Sequence, residues 1–523
     1  MTRLARPGRL ARALALATGL LATPAVAQDL TIGTKLELNT LDPHFFNGFP
    51  SGSSLAMFFN RLVEFDENLA PQPGLALSWR NVDDTTWEFK LRPGVVFHDG
   101  APFTADDVIA TFARVPAVPN SPNSFSQFTR PVKELVKVDD LTVQMRTHQP
   151  HPTLLSDLDS VFIVGKAALN QTTAEFNAGK VNGTGPYRLV EWVNGARLVA
   201  ERNDRFWGPR EPWTKVTERV ITRDPARVAA LLAGDVDVID LVPTADLPKL
   251  KADARYATFS GPAAIIHYIA MDSARDVSPF VTAKDGAPLA RNPLKDPRVR
   301  KALSLAINRE AIVSRLMEGS AEAASQFLPG RFFGTSQKLR PDAFDLDAAR
   351  KLLAEAGWPD GFRLVMHSTN DRYPNDIQIA QAIGQTWSRL GLRVEIEGVP
   401  GAIFFGRASK QEFSLFIAQF GTIEAVEGPR ALVASFLPDK GWGTANRTRY
   451  SNPEFDARLG QALGLMDPAQ RSAAVASMIE FAMAEQAVIP VFYPAFDFAA
   501  RKDLRVIVKP QRRAHAMMMK PAN

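Results

Sequence analysis

The 523-residue chain contains no cysteine, so neither a disulfide nor a thiolate nucleophile is available to it. It also contains no G-x-S-x-G motif, which places a serine nucleophile on a sharp turn, and no H-E-x-x-H motif, which binds zinc on a helix. No run of apolar residues reaches the length of about 18 that a membrane-spanning helix needs. These absences argue against a thiol, serine or zinc hydrolase and against an integral membrane protein. They leave the hydrophobic core as the source of stability.

The first 27 residues have the pattern of a secretory signal peptide. Four arginines come before an apolar run at residues 13–22, and the leader ends in the small residues of Ala25-Val26-Ala27. The apolar run is too short to span a membrane. We therefore expect the chain to be exported, and the part that remains is long enough for more than one domain or lobe.

We expect cleavage after Ala27, which makes Gln28 the first residue of the mature protein, because Ala-Val-Ala presents small side chains to the signal peptidase. Sequencing the N-terminus of the exported protein tests this expectation. A first residue several positions away, or a leader that is retained, would show that the cleavage site was misread.

Charge is nearly balanced once the leader is set aside. The whole chain has 61 Lys and Arg residues against 56 Asp and Glu residues. The leader contains four arginines and no acidic residue, which leaves 57 basic residues against the same 56 acidic ones. Proteins that bind nucleic acid usually carry a clear basic excess. The composition therefore predicts no nucleic-acid partner.

One stretch near the start of the mature chain combines the signals of a strand and a helix. Trp87, Phe89 and Leu91 alternate with polar residues, which predicts a strand with one dry face. Thr104, with Asp107 three residues later, has the pattern of a capping box and predicts the start of a helix. Nothing in this local structure requires catalysis.

The same stretch resembles a known family. Within residues 73–108 it contains, in order, PGLA, SW, TW, LR, GV, FHDG, PF and DV. This pattern is similar to the signature region of family 5 of the bacterial extracellular solute-binding proteins, the large peptide-binding class of ABC importers. Further segments that resemble this family are GTGPYRLVEW at 183–192, LLAGDVDVI at 231–239, DPRVRKALSLAINREAIV at 296–313 and RYSNPEFD at 449–456. The resemblance covers essentially the whole mature chain.

The resemblance implies a binding protein that is not an enzyme, with no catalytic residue, metal or cofactor. Such a protein holds a small solute between two lobes and delivers it to an inner-membrane ABC permease with ATPase subunits. We favour a short peptide or peptide-like compound, and the alternatives are opines, glutathione-like molecules, metal chelates and sugars. A secreted hydrolase is the rival class, and a chemoreceptor partner or periplasmic chaperone on the same fold is a third. Because no cysteine is available for a lipid anchor, we expect the protein to be retained in a Gram-negative periplasm. We also expect a monomer.

The expected fold class is α/β. Residues 362–368, 376–390 and 393–399 have the patterns of a strand, a helix and a strand, which predicts a βαβ unit with parallel strands. The resemblance implies a periplasmic-binding-protein-like fold of the large cluster C type, with two α/β lobes, a hinge and an extra subdomain in the first lobe. The expected boundaries are 1–27 for the signal peptide, 28–268 for the first lobe with an inserted subdomain at roughly 64–183, 269–487 for the second lobe, and 488–523 for the return to the first lobe.

Two segments are predicted from composition and periodicity alone. Residues 116–131 are rich in Pro, Ser and Asn, which favours a surface loop. Residues 298–317 follow Asp296-Pro297 and place apolar side chains on one face, which favours a single amphipathic helix.

The first predicted ligand-contact loop follows from the βαβ unit. Ligands of open α/β sheets bind beyond the carboxyl ends of the strands, and Asn370, Asp371, Arg372 and Tyr373 lie at such an end. Arg372 has the planar fork that holds a carboxylate with two hydrogen bonds. The alternative is a loop arginine in solvent or one paired with Asp371.

The resemblance also implies a site for a ligand ammonium. In peptide-binding relatives, the segment after a later strand supplies an aspartate for this group. Here the segment reads FGTIEAVEG, with Phe420 at the position of a tryptophan and with no aspartate. Glu424 or Glu427 is the candidate carboxylate from a shifted position. The departure argues against an ordinary peptide with a free amino end.

The remaining predicted contacts also come from the resemblance. Leu41-Asp42-Pro43 is similar to the family's LDP turn, after which the chain passes the ligand cleft at Phe46 and Asn47. For Asp42 itself an Asx-type turn ahead of proline is the favoured interpretation. Asn446, near the RYSNPEFD segment, completes the predicted set.

Three other patterns are interpreted as structural. His98 is expected to be a turn or core histidine. His148 and His151 bracket a proline in HQPH, but no further ligands with suitable spacing lie nearby, so no metal site is predicted. In the GTG segment, Pro186 stands where a nucleotide-binding loop would open a helix, so a nucleotide site is rejected.

Overall fold

The computed structural model describes residue 2 and residues 28–47, 53–510 and 514–522. The predicted signal peptide and its cleavage site at Ala27 lie outside the described residues. Within the described ranges, no helix is long and apolar enough to cross a membrane.

Strands, several of them in consecutive runs, are interspersed with helices along the chain. The strands are β1 (Gln28–Thr34), β2 (Val63–Phe65), β3 (Pro71–Pro73), β4 (Ala76–Asp83), β5 (Thr86–Leu91), β6 (Val132–Asp139), β7 (Thr142–Thr147), β8 (Tyr187–Val193), β9 (Arg197–Arg202), β10 (Trp213–Val220), β11 (Val238–Ile239), β12 (Tyr256–Pro262), β13 (Ile265–Met271), β14 (Val281–Thr282), β15 (Ala321–Ala323), β16 (Arg363–Thr369), β17 (Arg393–Val399), β18 (Leu415–Gly421), β19 (Val488–Arg501), β20 (Leu504–Val506) and β21 (Met519–Pro521). The α-helices are Ala105–Arg114, Ser126–Thr129, Leu154–Ser160, Thr173–Asn177, Asp224–Ala233, Leu247–Ala252, Pro297–Leu305, Arg309–Ala311, Leu346–Glu355, Asp376–Ser388, Gly401–Ser409, Glu427–Leu432, Pro453–Gly464 and Pro468–Ala484.

A 13-stranded sheet runs through both lobes. Its strand order is β14-β16-β18-β13-β19-β11-β1-β10-β9-β8, with β12 and β15 also paired to β19 and with β17 paired to β16. A separate four-stranded sheet, β4-β5-β7-β6, is antiparallel and forms the extra subdomain of the first lobe. The expected fold class of two α/β lobes is confirmed.

The strand β19 belongs to both lobes. Its first half, at residues 488–492, pairs with β13, which continues to β18 and β16 in the sheet, and its second half pairs with β12 and β11, which lie on the side of β1 and β10. The chain also crosses between β12 and β13, at residues 262–265. The two crossings lie on neighbouring strands, which is the arrangement that permits hinge motion.

The predicted βαβ unit is confirmed. β16 and β17 are parallel neighbours in the sheet, and the helix Asp376–Ser388 connects them. The predicted start of a helix at Thr104 is also confirmed, since the backbone N–H of Thr104 donates to the Asp107 carboxylate at 2.8 Å and the helix Ala105–Arg114 follows. These elements carry strong local signals, so sequence alone identifies them.

The prediction of one helix over residues 298–317 is wrong. The helix Pro297–Leu305 ends, and the side chain of Asn308 accepts a hydrogen bond from the N–H of Ala311 at 3.0 Å to start a new turn. The guanidinium of Arg309 then donates to the carbonyl oxygen of Pro490 in β19. Asparagine competes with helical hydrogen bonding through its own side chain, so periodicity alone overstates the length of this helix.

A buried ion pair fixes the turn that precedes the cleft. Arg114 donates to both carboxylate oxygens of Asp42, at 2.9 and 2.8 Å, and both side chains are at most 3% exposed. Burial would raise the pKa of Asp42, but the hydrogen bonds and charge of Arg114 lower it below its usual range. The N–H of His44 donates to the same carboxylate at 3.0 Å, which confirms the Asx-type turn.

A second buried carboxylate lies within the first lobe. Glu218 of β10 is 4% exposed and accepts a hydrogen bond from the Ser54 hydroxyl at 2.6 Å. Burial raises the pKa of Glu218 to about 7, from an ordinary value of 4.5. Between these values the folded protein holds a proton that the unfolded chain releases, so this group lowers the stability as the pH rises from 4.5 to 7.

We expect Glu218→Gln to increase the free energy of unfolding at pH 8 by about 1–3 kcal/mol, because the neutral amide removes the cost of burying a charge. Near pH 4 the two proteins should be equally stable, since the native carboxyl is already protonated there. Urea unfolding at both pH values measures the difference. An identical change at the two pH values would contradict the assignment of this titration to Glu218.

Candidate ligand-binding site

A cavity of about 560 Å³ lies between the two lobes. One wall contains residues 420–423 of the second lobe, at the end of β18, and Ala264, which lies just before β13. The first lobe contributes the opposite wall, with the helix Leu154–Ser160 and the segment 125–131. Small-molecule sites usually enclose about 300–1,000 Å³, so this cavity has room for a ligand the size of a short peptide.

The segment 125–131 is part of the cavity wall, so the prediction of a surface loop at 116–131 is wrong for this part. Phe125 is 5% exposed, and its ring centroid lies 6.1 Å from that of Phe128. Both side chains, together with Gln127 of the short helix Ser126–Thr129, line the cavity. Polar residues dominate the composition of the segment, so composition alone does not reveal that two of its phenylalanines pack inward.

Hydrogen bonds of residues 121 and 123, just before the segment 125–131, attach it to the chain after Pro43. The N–H of Asn47 donates to the carbonyl oxygen of Asn123 at 2.9 Å. The hydroxyl of Ser121 donates to the carbonyl oxygen of Phe45 at 2.6 Å. The amide of Asn123 also donates to the carbonyl oxygen of Asn47. The segment and the chain at 45–47 therefore form one unit beside the cavity.

Four phenylalanines provide an apolar lining. Phe125, Phe128 and Phe162 lie on the first-lobe side, and Phe420 lies on the second-lobe side. The guanidinium of Arg61 lies 3.7 Å from the centroid of the Phe162 ring, within the range of a cation–π contact. An apolar ligand body with a few polar groups suits this surface.

An acidic corner closes one end of the cavity. The hydroxyl of Ser156, in the first lobe, donates to the Glu424 carboxylate in the second lobe. Burial raises the pKa of Glu424 to about 7, against the lowering effect of the Ser156 bond and of the Arg471 charge. Glu427 forms an ion pair with Arg430 at 2.7 Å, and burial raises the pKa of Glu427 as well.

A histidine and a carboxylate extend this corner on the first-lobe side. Nε2 of His151 lies 2.6 Å from Oδ2 of Asp157, and both residues line the cavity. Burial raises the pKa of Asp157, and the bond with His151 opposes this shift. In the described part of the chain, no group of three or more His, Asp or Glu side chains has the geometry to hold a metal ion.

Four of the predicted ligand contacts line the cavity: Asn47, Phe420, Glu424 and Glu427. Phe46 is half-buried beside them and pairs with Asn123 through its backbone. Whether each touches a ligand stays a prediction.

Asn446 is buried away from the cavity lining. Its amide donates to the carbonyl oxygens of Ala434 and Tyr450, at 2.9 and 2.7 Å, and its own oxygen accepts from the N–H of Tyr450 at 3.1 Å. These hydrogen bonds hold a turn together and give Asn446 a structural role, while its contact with a ligand stays a prediction.

The loop of Asn370, Asp371, Arg372 and Tyr373 lies at the carboxyl end of β16, as predicted, but it is not part of the cavity lining. Arg372 donates to the Tyr373 hydroxyl at 3.1 Å, and its guanidinium lies 5.1 Å from the Phe405 ring centroid. Asp371 accepts from the N–H of Gly401 at 2.8 Å. The role of the loop in ligand binding stays a prediction.

Sequence reasoning predicted Asn47 on the first-lobe side of the site but missed the other first-lobe contributors. Arg61, Phe125, Phe128, Ser156 and Asp157 all line the cavity, yet none of them lies in a motif with chemical meaning. They meet because residue 61, the segment 125–131 and the helix Leu154–Ser160 lie together against the segment after β18. The only local signal is the pair of phenylalanines within an otherwise polar segment.

Comparisons with known proteins agree with this architecture. The family model described as bacterial extracellular solute-binding proteins, family 5 Middle, matches residues 70–442. The heme-binding protein A of Haemophilus influenzae is 28% identical over 457 residues, with 81% of this chain and 79% of that protein covered. The glutathione-binding protein GsiB of Pectobacterium atrosepticum is 28% identical, with 85% of this chain and 84% of that protein covered. The periplasmic oligopeptide-binding protein OppA of Salmonella typhimurium is 26% identical, with coverage of 90% of each.

A solved structure has the same fold. HbpA2 from Haemophilus parasuis superposes with a TM-score of 0.81 over 95% of this chain and 100% of that chain, at 22% sequence identity. At that identity the likeness concerns the fold, and it includes both lobes.

Proposed function

Because this chain belongs to family 5 of the bacterial extracellular solute-binding proteins, we propose that it is the periplasmic binding component of an ABC importer and that it captures a short peptide or peptide-like solute. The closing units would be residues 28–268 with the return segment 488–523, and residues 269–487. The closed form delivers the solute to an inner-membrane permease powered by ATPase subunits. The protein acts as a monomer and contributes affinity and a change of shape.

The observation that carries this proposal is the cavity between the lobes. Both lobes line it, so a solute that contacts both walls favours the closed arrangement over the open one. The volume of about 560 Å³ exceeds what a single ion needs and is in the range for organic ligands.

The lining supports a peptide-like solute with an apolar body. The phenyl groups of Phe125, Phe128 and Phe420 offer contact area to apolar side chains. Glu424 and Glu427 are candidate acceptors for an ammonium or amide N–H group. Two relatives are named for glutathione and for oligopeptides, which are both peptide-like. A third is named for heme, which keeps a non-peptide solute as the alternative.

We further propose that the solute is released chemically unchanged. A hydrolase needs a nucleophile next to a base, or a metal that activates water. At the acidic corner the hydroxyl of Ser156 donates to Glu424, a carboxylate, while His151 contacts Asp157. The Ser156 hydroxyl is therefore not hydrogen-bonded to the imidazole, which is the usual base of a serine hydrolase, and the family model that matches the chain describes solute-binding proteins.

Native mass spectrometry of the protein purified from the periplasm identifies a solute that co-purifies. We expect one solute per chain, with a mass and fragmentation pattern typical of a peptide-like compound. Titration calorimetry with that compound then gives the affinity. Recovery of a heme or a metal chelate would instead support the non-peptide alternative, and recovery of a cleaved product would support the hydrolase.

A further inference from the structure

Ionisable side chains meet where the two lobes touch. Asp157 comes from the helix Leu154–Ser160 of the first lobe, and Glu424 and Glu427 come from the segment after β18 in the second lobe. We call these three residues the inter-lobe carboxylates. The hydrogen bond from Ser156 to Glu424 joins the lobes directly. Because its two partners come from different lobes, we expect this bond to break when the cleft opens.

Apolar packing surrounds the contact. Leu154 and Leu158, from the same helix as Ser156, belong to one buried cluster with Ala425 and Val426 of the second lobe. The hydrogen bond therefore lies between this apolar cluster and the cavity, which Ser156 and Glu424 both line. A charge in such a place costs free energy unless it has a counter-ion.

The charged groups around Glu424 come from four elements. The first-lobe helix contributes Asp157, and the turn before it contributes His151, which lies 2.6 Å from Asp157. The helix Glu427–Leu432 contributes Glu427 and Arg430, which are paired with each other. The helix Pro468–Ala484 contributes Arg471, whose charge acts on Glu424 from a distance. At the point of contact itself, the described partner of the Glu424 carboxyl is the neutral hydroxyl of Ser156.

The inter-lobe contact thus suits a protonated Glu424 better than an ionised one. In this structure, where the Ser156 bond joins the lobes, burial raises the pKa of Glu424 from its ordinary 4.5 to about 7, and burial also raises the pKa of Glu427 and of Asp157. Separation of the lobes moves the first-lobe helix away from Glu424 and increases its exposure to water. The pKa of the carboxyl then falls back toward its ordinary value of 4.5.

We propose that closure of the cleft is coupled to proton uptake at Glu424, so that the empty protein closes more readily in mildly acidic than in mildly alkaline medium. This inference rests on the proposed function, since it concerns the closing motion that captures the solute. It adds regulation by pH, which neither the family nor the cavity by itself implies.

The direction and size of the effect follow from linkage. Below pH 4.5 the carboxyl is protonated in both arrangements, and above pH 7 it is ionised in both. Between these values only the closed arrangement holds the proton, so acidification favours closure. A shift from 4.5 to about 7 corresponds to a change of roughly two orders of magnitude in the closure equilibrium.

The absence of native cysteine makes a distance measurement straightforward. Asp84→Cys in the first lobe and Lys351→Cys in the second provide two exposed positions for spin labels. Double electron–electron resonance then reports the distance between the lobes at pH 5 and pH 8, after co-purified solute has been removed by unfolding and refolding. We expect a larger share of short distances at pH 5.

The variant Glu424→Gln keeps the shape of the side chain and its bond with Ser156 but cannot titrate. We expect the label-to-label distances of this variant to be short, as in the closed form, at both pH 5 and pH 8. Glu218→Gln is the matched control, since Glu218 also accepts from a serine and burial also raises its pKa to about 7, but it lies within the first lobe. That variant should keep the full pH response.

A pH response that survives in Glu424→Gln would overturn the inference, and so would a wild-type distribution that does not change between pH 5 and pH 8. If the distances respond to removal of the solute but not to pH, only this inference fails. If they respond to neither, the lobes do not move and the proposed function fails as well.

Discussion

Replacement of Arg114 by methionine should lower the free energy of unfolding by about 3–5 kcal/mol, the cost of removing one partner of a buried ion pair. The guanidinium holds Asp42 through two hydrogen bonds and also donates to Nδ1 of His44 at 2.9 Å and to the carbonyl oxygen of Gln171 at 2.9 Å. Methionine fills part of the volume but leaves the carboxylate buried without a counter-ion. Denaturant unfolding of the two proteins measures the loss.

Arg350→Met is the matched control for this experiment. Arg350 forms an ion pair with Asp347 at a similar distance of 2.7 Å, but its side chain is 48% exposed and that of Asp347 is 95% exposed. An exposed pair contributes about 0–1 kcal/mol, so this variant should resemble the wild type. Equal losses in the two variants would contradict the argument from burial. Removing both charges, in Arg114→Met with Asp42→Leu, should recover part of the stability.

Replacement of Arg372 by alanine should weaken ligand binding by about 2–5 kcal/mol if this side chain holds a ligand carboxylate, the range for removing one partner of a buried charge pair. Arg372→Lys should recover only part of the affinity, because a point charge cannot reproduce the planar fork. The stability of the unliganded protein should change little, since Arg372 is exposed and its hydrogen bond is to the neighbouring Tyr373. Titration calorimetry with the co-purified solute measures all three proteins.

A second arginine of the same lobe serves as the control. Arg393 is exposed at the opposite, amino end of β17 and lies 3.4 Å from Glu395. Arg393→Ala should bind the solute as the wild type does. Wild-type affinity in Arg372→Ala would remove Arg372 from the site and leave Glu424 and Glu427 as the principal polar contacts.

Sequence alone could predict the elements whose signals are local. The capping box of Thr104 and Asp107 and the βαβ unit around the helix Asp376–Ser388 depend on neighbours in the chain, and the structure has both. The family resemblance, carried by ordered motifs over the whole mature chain, identified the two-lobe fold. Periodicity failed at Asn308, where a side-chain hydrogen bond interrupts a pattern that would otherwise read as helix.

The site was harder to predict because it depends on distant parts of the chain. Glu424 could be predicted from its place in a family segment, but its partner Ser156 could not, since 268 positions separate them. Phe125 and Phe128 lie in a segment whose composition favours a surface loop. Their inward packing follows from contacts with the chain near Asn47, which no local pattern reveals.

Small-angle X-ray scattering, with and without the co-purified solute, tests most directly whether this protein captures a solute by closing two lobes. We predict a smaller radius of gyration when one solute is bound per chain, and recovery of that solute chemically unchanged. A radius that is the same in the two states, or a solute recovered in altered form, would contradict the account.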